Sequence, residues 1–158
     1  MLKEGTTAPD IDAMLDSGEQ FRLADYRGKK HVVLYFYPKD FTMGCTREAC
    51  IFRDRYADVL QHDAIIVGVS IDTAESHRKF KERHELPFPL VADPEKTVIC
   101  AYDAEALLGM ATARITYVID KQGTIRSAIR HDFAVGRHLP EVLEALSAIE
   151  GKPAPAPS

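Results

Sequence analysis

Two nearly uninterrupted apolar runs stand out in the first half of the chain, HVVLYFY (His31 to Tyr37) and AIIVGVSI (Ala64 to Ile71). Both are rich in β-branched and aromatic residues and lack polar alternation, the pattern of strands covered on both faces of a sheet. Between them Ala49, Phe52, Tyr56, Val59 and Leu60 recur at spacings of three, four, three and one, which predicts a helix. Strand, helix, strand in that order predicts a right-handed βαβ unit with parallel strands.

Further along, Asp72 with Glu75 three residues later resembles a capping box opening an exposed helix with a thin apolar face. Phe88 to Val91 reads as a short strand and Pro94 to Tyr102 as a short helix. ITYVID and TIRSAI flank the turn KQG, the signature of an antiparallel hairpin whose glycine allows the turn's backbone angles. The last helix is expected over His138 to Ile149: Leu139, Val142, Leu143, Leu146 and Ile149 make one stripe, and Pro140 falls in the first turn, where a missing N–H costs little. Residues up to about Asp25 are expected to add a small N-terminal β-hairpin or edge strand. The element order gives an α/β fold, a central mixed β-sheet with helices on both faces, as one domain over residues 1–150. Residues 151–158 are rich in proline and are expected to be a disordered tail.

Composition narrows the function classes. A chain of 158 residues is one domain's worth, and 46% hydrophobic with 28% charged residues is ordinary for a globular protein. The net charge of −4 gives no electrostatic reason to bind nucleic acid or anionic lipid. The amino terminus lacks the apolar stretch of a secretory signal and no run approaches a membrane span, so a cytoplasmic location is expected. Three cysteines, Cys45, Cys50 and Cys100, are an odd number for a disulfide framework, which favours reactive over structural thiols. The six histidines show no metal-binding spacing and are expected at the surface, and no glycine-rich phosphate loop is present. Neither a metal nor another cofactor is therefore expected.

The segment YFYPKDFTMGCTREAC, Tyr35 to Cys50, carries the chemistry. It puts Cys45 just after the loop that leaves a buried strand, in the first turn of the next helix. Unpaired N–H groups and the positive end of the helix dipole there stabilise a thiolate, the nucleophilic form. Thr42, three residues earlier, is close enough for its hydroxyl to reach the Cys45 sulfur or an oxygen bound beside it. Pro38 stiffens the loop and shields the sulfur from water. Cys100 has no flanking site and reads as a bystander.

This segment resembles the active-site signature of peroxiredoxins: a proline, three residues, a threonine, two residues and the peroxide-attacking cysteine, here Pro38, Thr42 and Cys45. Cys50, five positions on, makes the match closer to the Q-type subfamily, the bacterioferritin comigratory proteins. The resemblance extends over roughly Lys3 to Ile149 and includes Glu48 and an arginine opening a late strand, Arg114. One departure is Met43, where the subfamily usually has proline.

The resemblance implies a thioredoxin-like fold and peroxide reduction by thiol chemistry without metal, flavin or haem. Cys45 would become a sulfenic acid, with Thr42 and Arg114 donating hydrogen bonds to the separating oxygens and Glu48 positioning Arg114. Cys50 would then form a disulfide with Cys45, and thioredoxin or a glutaredoxin-like protein would reduce it. Q-type relatives are often monomers or weak homodimers. In an α-helix, residues five apart have α-carbons roughly 8.6 Å apart, and a disulfide needs about 7 Å, so a Cys45–Cys50 bond requires local unwinding. A disulfide reductase normally has its cysteines two residues apart, whereas four residues intervene here. A redox sensor or holdase would use the same thiols once rather than turn over.

Overall fold

The computed structural model describes residues 1–150; the expected proline-rich tail lies outside the described residues. The two apolar runs become β3 (His31–Phe36) and β4 (Ala64–Ser70), parallel and in register from His31 opposite Ala64 to Phe36 opposite Val69. β5 (Leu90–Ala92) extends the sheet in parallel on one side. β8 (Ile115–Ile119) and β9 (Ile125–Arg130) extend it antiparallel on the other, giving the order β5-β4-β3-β8-β9. The β8–β9 hairpin turns at Gly123, whose φ of 83° suits a residue without a side chain. Asp120 fastens the turn by accepting from the N–H groups of Gln122 and Thr124.

Alternation along β3 explains both faces. Val32, Leu34 and Phe36 point to one side, where they pack with Phe21 and Leu23 near the N-terminus and with Val98, Ile99 and Tyr102. These belong to the hairpin of β1 (Asp12–Met14) and β2 (Gln20–Arg22), to the 3-10 turn that follows it, and to α4 (Thr97–Ala101) with the residue after it. Val33, Tyr35 and Tyr37 point to the other side, against the longer helices. These are α1 (Met43–Asp54), α3 (Ala74–His84) and α5 (His138–Glu150), joined by the single turn α2 (Tyr56–Leu60). The α5 stripe is buried at Leu139, Val142, Leu143 and Leu146, with Ile149 at its margin. A two-stranded hairpin, β6 (Glu105–Ala106) and β7 (Ala111–Thr112), stands apart from the main sheet.

The structure revises three local expectations. The helix after β3 is not continuous to Leu60: it ends at Asp54, Arg55 leaves helical angles, and α2 starts anew. Phe52 before the break and Val59 after it are both buried, and Tyr56 between them packs edge-on against Phe88 at 5.7 Å. The cap of α3 is Thr73, which accepts from the Ser76 N–H, rather than Asp72. Asp72 is turned toward the loop after β3, where it accepts from the N–H of Asp40 at 2.8 Å and the hydroxyl of Ser70 at 2.5 Å.

The third concerns the histidines. His31, His62, His77 and His138 are buried rather than at the surface. Each has an oxygen partner inside: Glu150 for His31 and His62, Asp40 for His77, and Thr116 for His138. His62, His77 and His138 hydrogen-bond through ring nitrogens, as buried polar groups ordinarily do, whereas His31 has a 3.8 Å contact with Glu150 and an Nδ1 without a hydrogen-bond partner among the described residues.

Candidate active site

The loop from Tyr37 to Thr42 carries the chain from the end of β3 to the start of α1. It is held from below by a buried carboxylate. Asp40 Oδ1 accepts from the Tyr37 hydroxyl at 2.6 Å, and its Oδ2 meets the Ser76 hydroxyl at 2.9 Å and His77 Nδ1 at 2.8 Å. His77 Nε2 in turn donates to the Val91 carbonyl at 2.9 Å, so the loop is tied through α3 to β5. Phe41, beside it, adopts a positive φ of 65° and lays its ring edge-on to Phe80 at 5.2 Å. Asp40, Asp72 and His77 bring three metal-capable atoms within 4.8 Å of one another. Their hydrogen bonds to Tyr37, Ser76, Ser70 and the Asp40 N–H account for this closeness as a clamp on the loop.

Sequence reasoning missed Asp40 and His77. Neither has a local signal, since their meeting depends on residues 37 positions apart.

Thr42 is the N-cap residue of α1, and its carbonyl accepts from the N–H of Thr46. Its hydroxyl donates to the Lys39 carbonyl at 2.9 Å instead of pointing its proton at the sulfur. Cys45 lies two residues into the helix and is 1% exposed. Arg114, just before β8, reaches across the sheet end: Nη1 donates to the Cys45 sulfur at 3.1 Å and stands 3.5 Å from Glu48 Oε1. The arginine backbone is fixed by its N–H to Asp132 Oδ1 at 3.0 Å.

Gly44 makes this approach possible. A Cβ at that position would lie 2.7 Å from Arg114 Nη2, a distance that would force the guanidinium away. Glu48 is itself buried, and loss of hydration pushes its carboxyl up to about 8 against the pull of Arg114.

Cys50 is half-buried further along α1, and its thiol, like those of Cys45 and Cys100, is free. Both Cys45 and Cys50 lie inside the continuous helix Met43–Asp54. Cys100 is exposed on α4, which packs on the opposite face of the sheet from Cys45. Its thiol donates to Glu105 Oε1 at 2.5 Å, and that bond pushes it above the usual thiol range.

Pro38 and Arg114 open onto a cavity of about 330 Å³ walled by Leu107, Thr112 and Phe133. Arg130 and Asp132 also line it, and of its apolar residues Leu107 and Phe133 are exposed, as are Leu108, Met110 and Met43 elsewhere on the surface. Met43, at the start of α1, is 89% exposed.

A buried cysteine at a helix start with a guanidinium on its sulfur defines a thiol enzyme, and its setting on this mixed sheet is that of the thioredoxin-like proteins. A profile of the AhpC/TSA family matches residues 5–128. The chain is 44% identical over 157 residues to Peroxiredoxin Bcp of Bacillus subtilis (strain 168), covering 96% of this chain and 99% of that one. Among solved structures it resembles peroxidoxin BcpB of Mycobacterium tuberculosis, at a TM-score of 0.87 and 34% identity over 94% of this chain and 99% of that one. It also resembles the bacterioferritin comigratory protein of Xanthomonas campestris, at a TM-score of 0.81 and 31% identity over 88% and 91% of the two chains. The chain belongs to the AhpC/TSA family and, within it, to the peroxiredoxins of the Q or bacterioferritin comigratory type. It is a thiol peroxidase.

Proposed function

We propose that Cys45 is the peroxide-attacking residue and Cys50 the one that resolves it, within a domain formed by residues 1–150. The observation that carries this reading is the 3.1 Å contact between Arg114 Nη1 and the Cys45 sulfur, since a fixed cation there favours the thiolate and then the anionic leaving oxygen. The Cys45 thiolate attacks one peroxide oxygen, the O–O bond breaks, and the products are Cys45 sulfenic acid and an alkoxide or hydroxide that takes up a proton. Cys50 then attacks the sulfenic sulfur, releasing water and leaving a Cys45–Cys50 disulfide.

Thr42 keeps its own proton on Lys39, which leaves its oxygen able to accept from a peroxide O–H. Pro38 closes the pocket beside Arg114. Glu48 positions Arg114 from the buried side.

The apolar cavity beside Arg114 supports organic hydroperoxides as substrates alongside hydrogen peroxide. Alkyl peroxide reduction is the activity named for the Xanthomonas campestris relative. An external dithiol of the thioredoxin or glutaredoxin-like kind completes the cycle by exchange. The remaining parts of this reading are a cytoplasmic monomer or weak homodimer with no nucleic acid or membrane partner. A net charge of −4 and an odd number of cysteines, three, support it. Among the described residues no helix is long and apolar enough to cross a membrane.

Intact-mass analysis and peptide mapping before and after one equivalent of peroxide test the proposal. The expected product is one disulfide joining Cys45 to Cys50. Cys45→Ser abolishes peroxide consumption with a dithiol donor, and Cys100→Ala leaves rate and disulfide unaltered. A disulfide through Cys100, or turnover by the Cys45→Ser protein, overturns the assignment.

A further inference from the structure

Glu48 lies one helical turn beyond Cys45 on the buried side of α1, and its carboxyl group is short of donors. Oε1 has the long 3.5 Å contact with Arg114 Nη1, and that nitrogen stands nearer to sulfur. Oε2 has no hydrogen-bond partner among the described residues. Nε2 of His138, at the start of α5, stands 3.5 Å from it. It faces the His131 carbonyl at 3.0 Å, so it carries a hydrogen and donates it there.

The other ring nitrogen, Nδ1, sits 2.9 Å from the Thr116 hydroxyl. Loss of hydration lowers the proton affinity of this buried ring, so Nδ1 accepts from Thr116 and the imidazole is neutral. A carboxylate that is 1% exposed and has one distant donor is costly, whereas a neutral carboxylic acid fits the same space.

We propose that His138 is a positioning residue that keeps Glu48 a neutral acid, so that Arg114 directs its charge to the Cys45 sulfur and its peroxide rather than to a competing carboxylate. The proposal rests on Cys45 being the attacking residue. His138 fills the flank of Glu48 with a ring whose N–H is already committed, which excludes water without offering a donor. Ionisation of Glu48 in alkali then places a second anion on Arg114 and slows the attack.

The groups facing Glu48 do not mimic this effect. Tyr35, from β3, is pushed upward by burial and by Glu48 itself and stays neutral. Arg114 keeps its charge. Ionisation of Cys45 or Cys50, on α1, speeds thiol chemistry as pH rises, the opposite sign. Behind His138 stand His131 and Glu141, paired with each other.

The test follows oxidation of Cys45 in the full-length protein by hydrogen peroxide, using quenched flow and mass analysis across pH. The readout is the ratio of rates at about pH 7 and about pH 9.5, which loss of packing alone does not change. The parent rate is expected to fall about tenfold between these values. Glu48→Gln, which keeps the shape but cannot ionise, loses the fall. His138→Ala admits water beside Oε2 and moves the fall down by about one pH unit. His138→Gln, which retains a donor for the His131 carbonyl, keeps the parent profile and tests the proposal even if the alanine variant does not fold. An alkaline fall that persists in Glu48→Gln, or is missing from the parent, overturns the proposal. Peroxide consumption by Cys45→Ser would instead overturn the underlying assignment of Cys45.

Discussion

Glu48 affects folding as well as chemistry. Its carboxyl holds a proton up to about 8 in the folded chain and releases it near 4.5 when unfolded. Between those values the folded state binds a proton that the unfolded state has lost, so this site's contribution is complete below the lower value. It is lost as pH rises through the upper one, at about 1.4 kcal/mol per pH unit. Urea unfolding at about pH 6 and about pH 8 should therefore show the parent losing roughly 2–3 kcal/mol relative to Glu48→Gln. Parallel curves for the two proteins would show that Glu48 is not a buried acid. The place of Cys45, in the first turn of the helix after a buried strand, was readable in the sequence because it is a matter of spacing along one segment. The surroundings of Glu48 were not. His138 meets Thr116 across 22 residues and His77 meets Asp40 across 37, and nothing near either histidine distinguishes it from an exposed one.

At the level of elements, α1 is weakly held at its start. Its N-cap Thr42 makes no side-chain capping bond, its first turn holds no acid, and Gly44 sits in that turn. Each of these weakens a helix terminus. The loop before it is fixed by Asp40, so unwinding is confined to the residues after Thr42. Hydrogen exchange is expected to be faster across Thr46 to Phe52 in the disulfide form than in the reduced form, with the strands unchanged. A structure of the oxidised protein that keeps an intact helix through Cys50 would exclude an intramolecular bond between these two cysteines. The strands were legible because apolar runs report double burial directly, and the α5 stripe was legible for the corresponding helical reason. The break at Arg55 and the choice of Thr73 over Asp72 as a cap were not. Nothing along the chain marks the break at Arg55, and Asp72 is drawn instead to the N–H of Asp40 in the loop after β3, a partner 32 residues away.

Across the whole molecule, β3 is the hinge of the design, parallel to β4 on one side and antiparallel to β8 on the other. The sequence indicated the mixed sheet and both pairings with adjacent elements, β3 with β4 and β8 with β9. It could not indicate that β8 returns to the free edge of β3, since that contact joins segments far apart in the chain. Yet it is this return that delivers Arg114 to Cys45, 69 residues earlier.

On the proposed role of Arg114, the same return is expected to set the moment at which the thiol becomes reactive. During synthesis Cys45 leaves the ribosome well before Arg114 has been made, and chains emerge at about 5–20 residues per second. On the roles proposed for Cys45 and Arg114, the nascent chain is expected to carry an ordinary cysteine, slow toward peroxide, until the sheet closes. A chain ending before Ala113 is therefore expected to react with peroxide no faster than a free thiol, and peroxide reactivity of Cys45 in stalled chains of increasing length should rise abruptly once β8 is complete. A short chain already as reactive as the full one would show that α1 alone suffices to activate the sulfur.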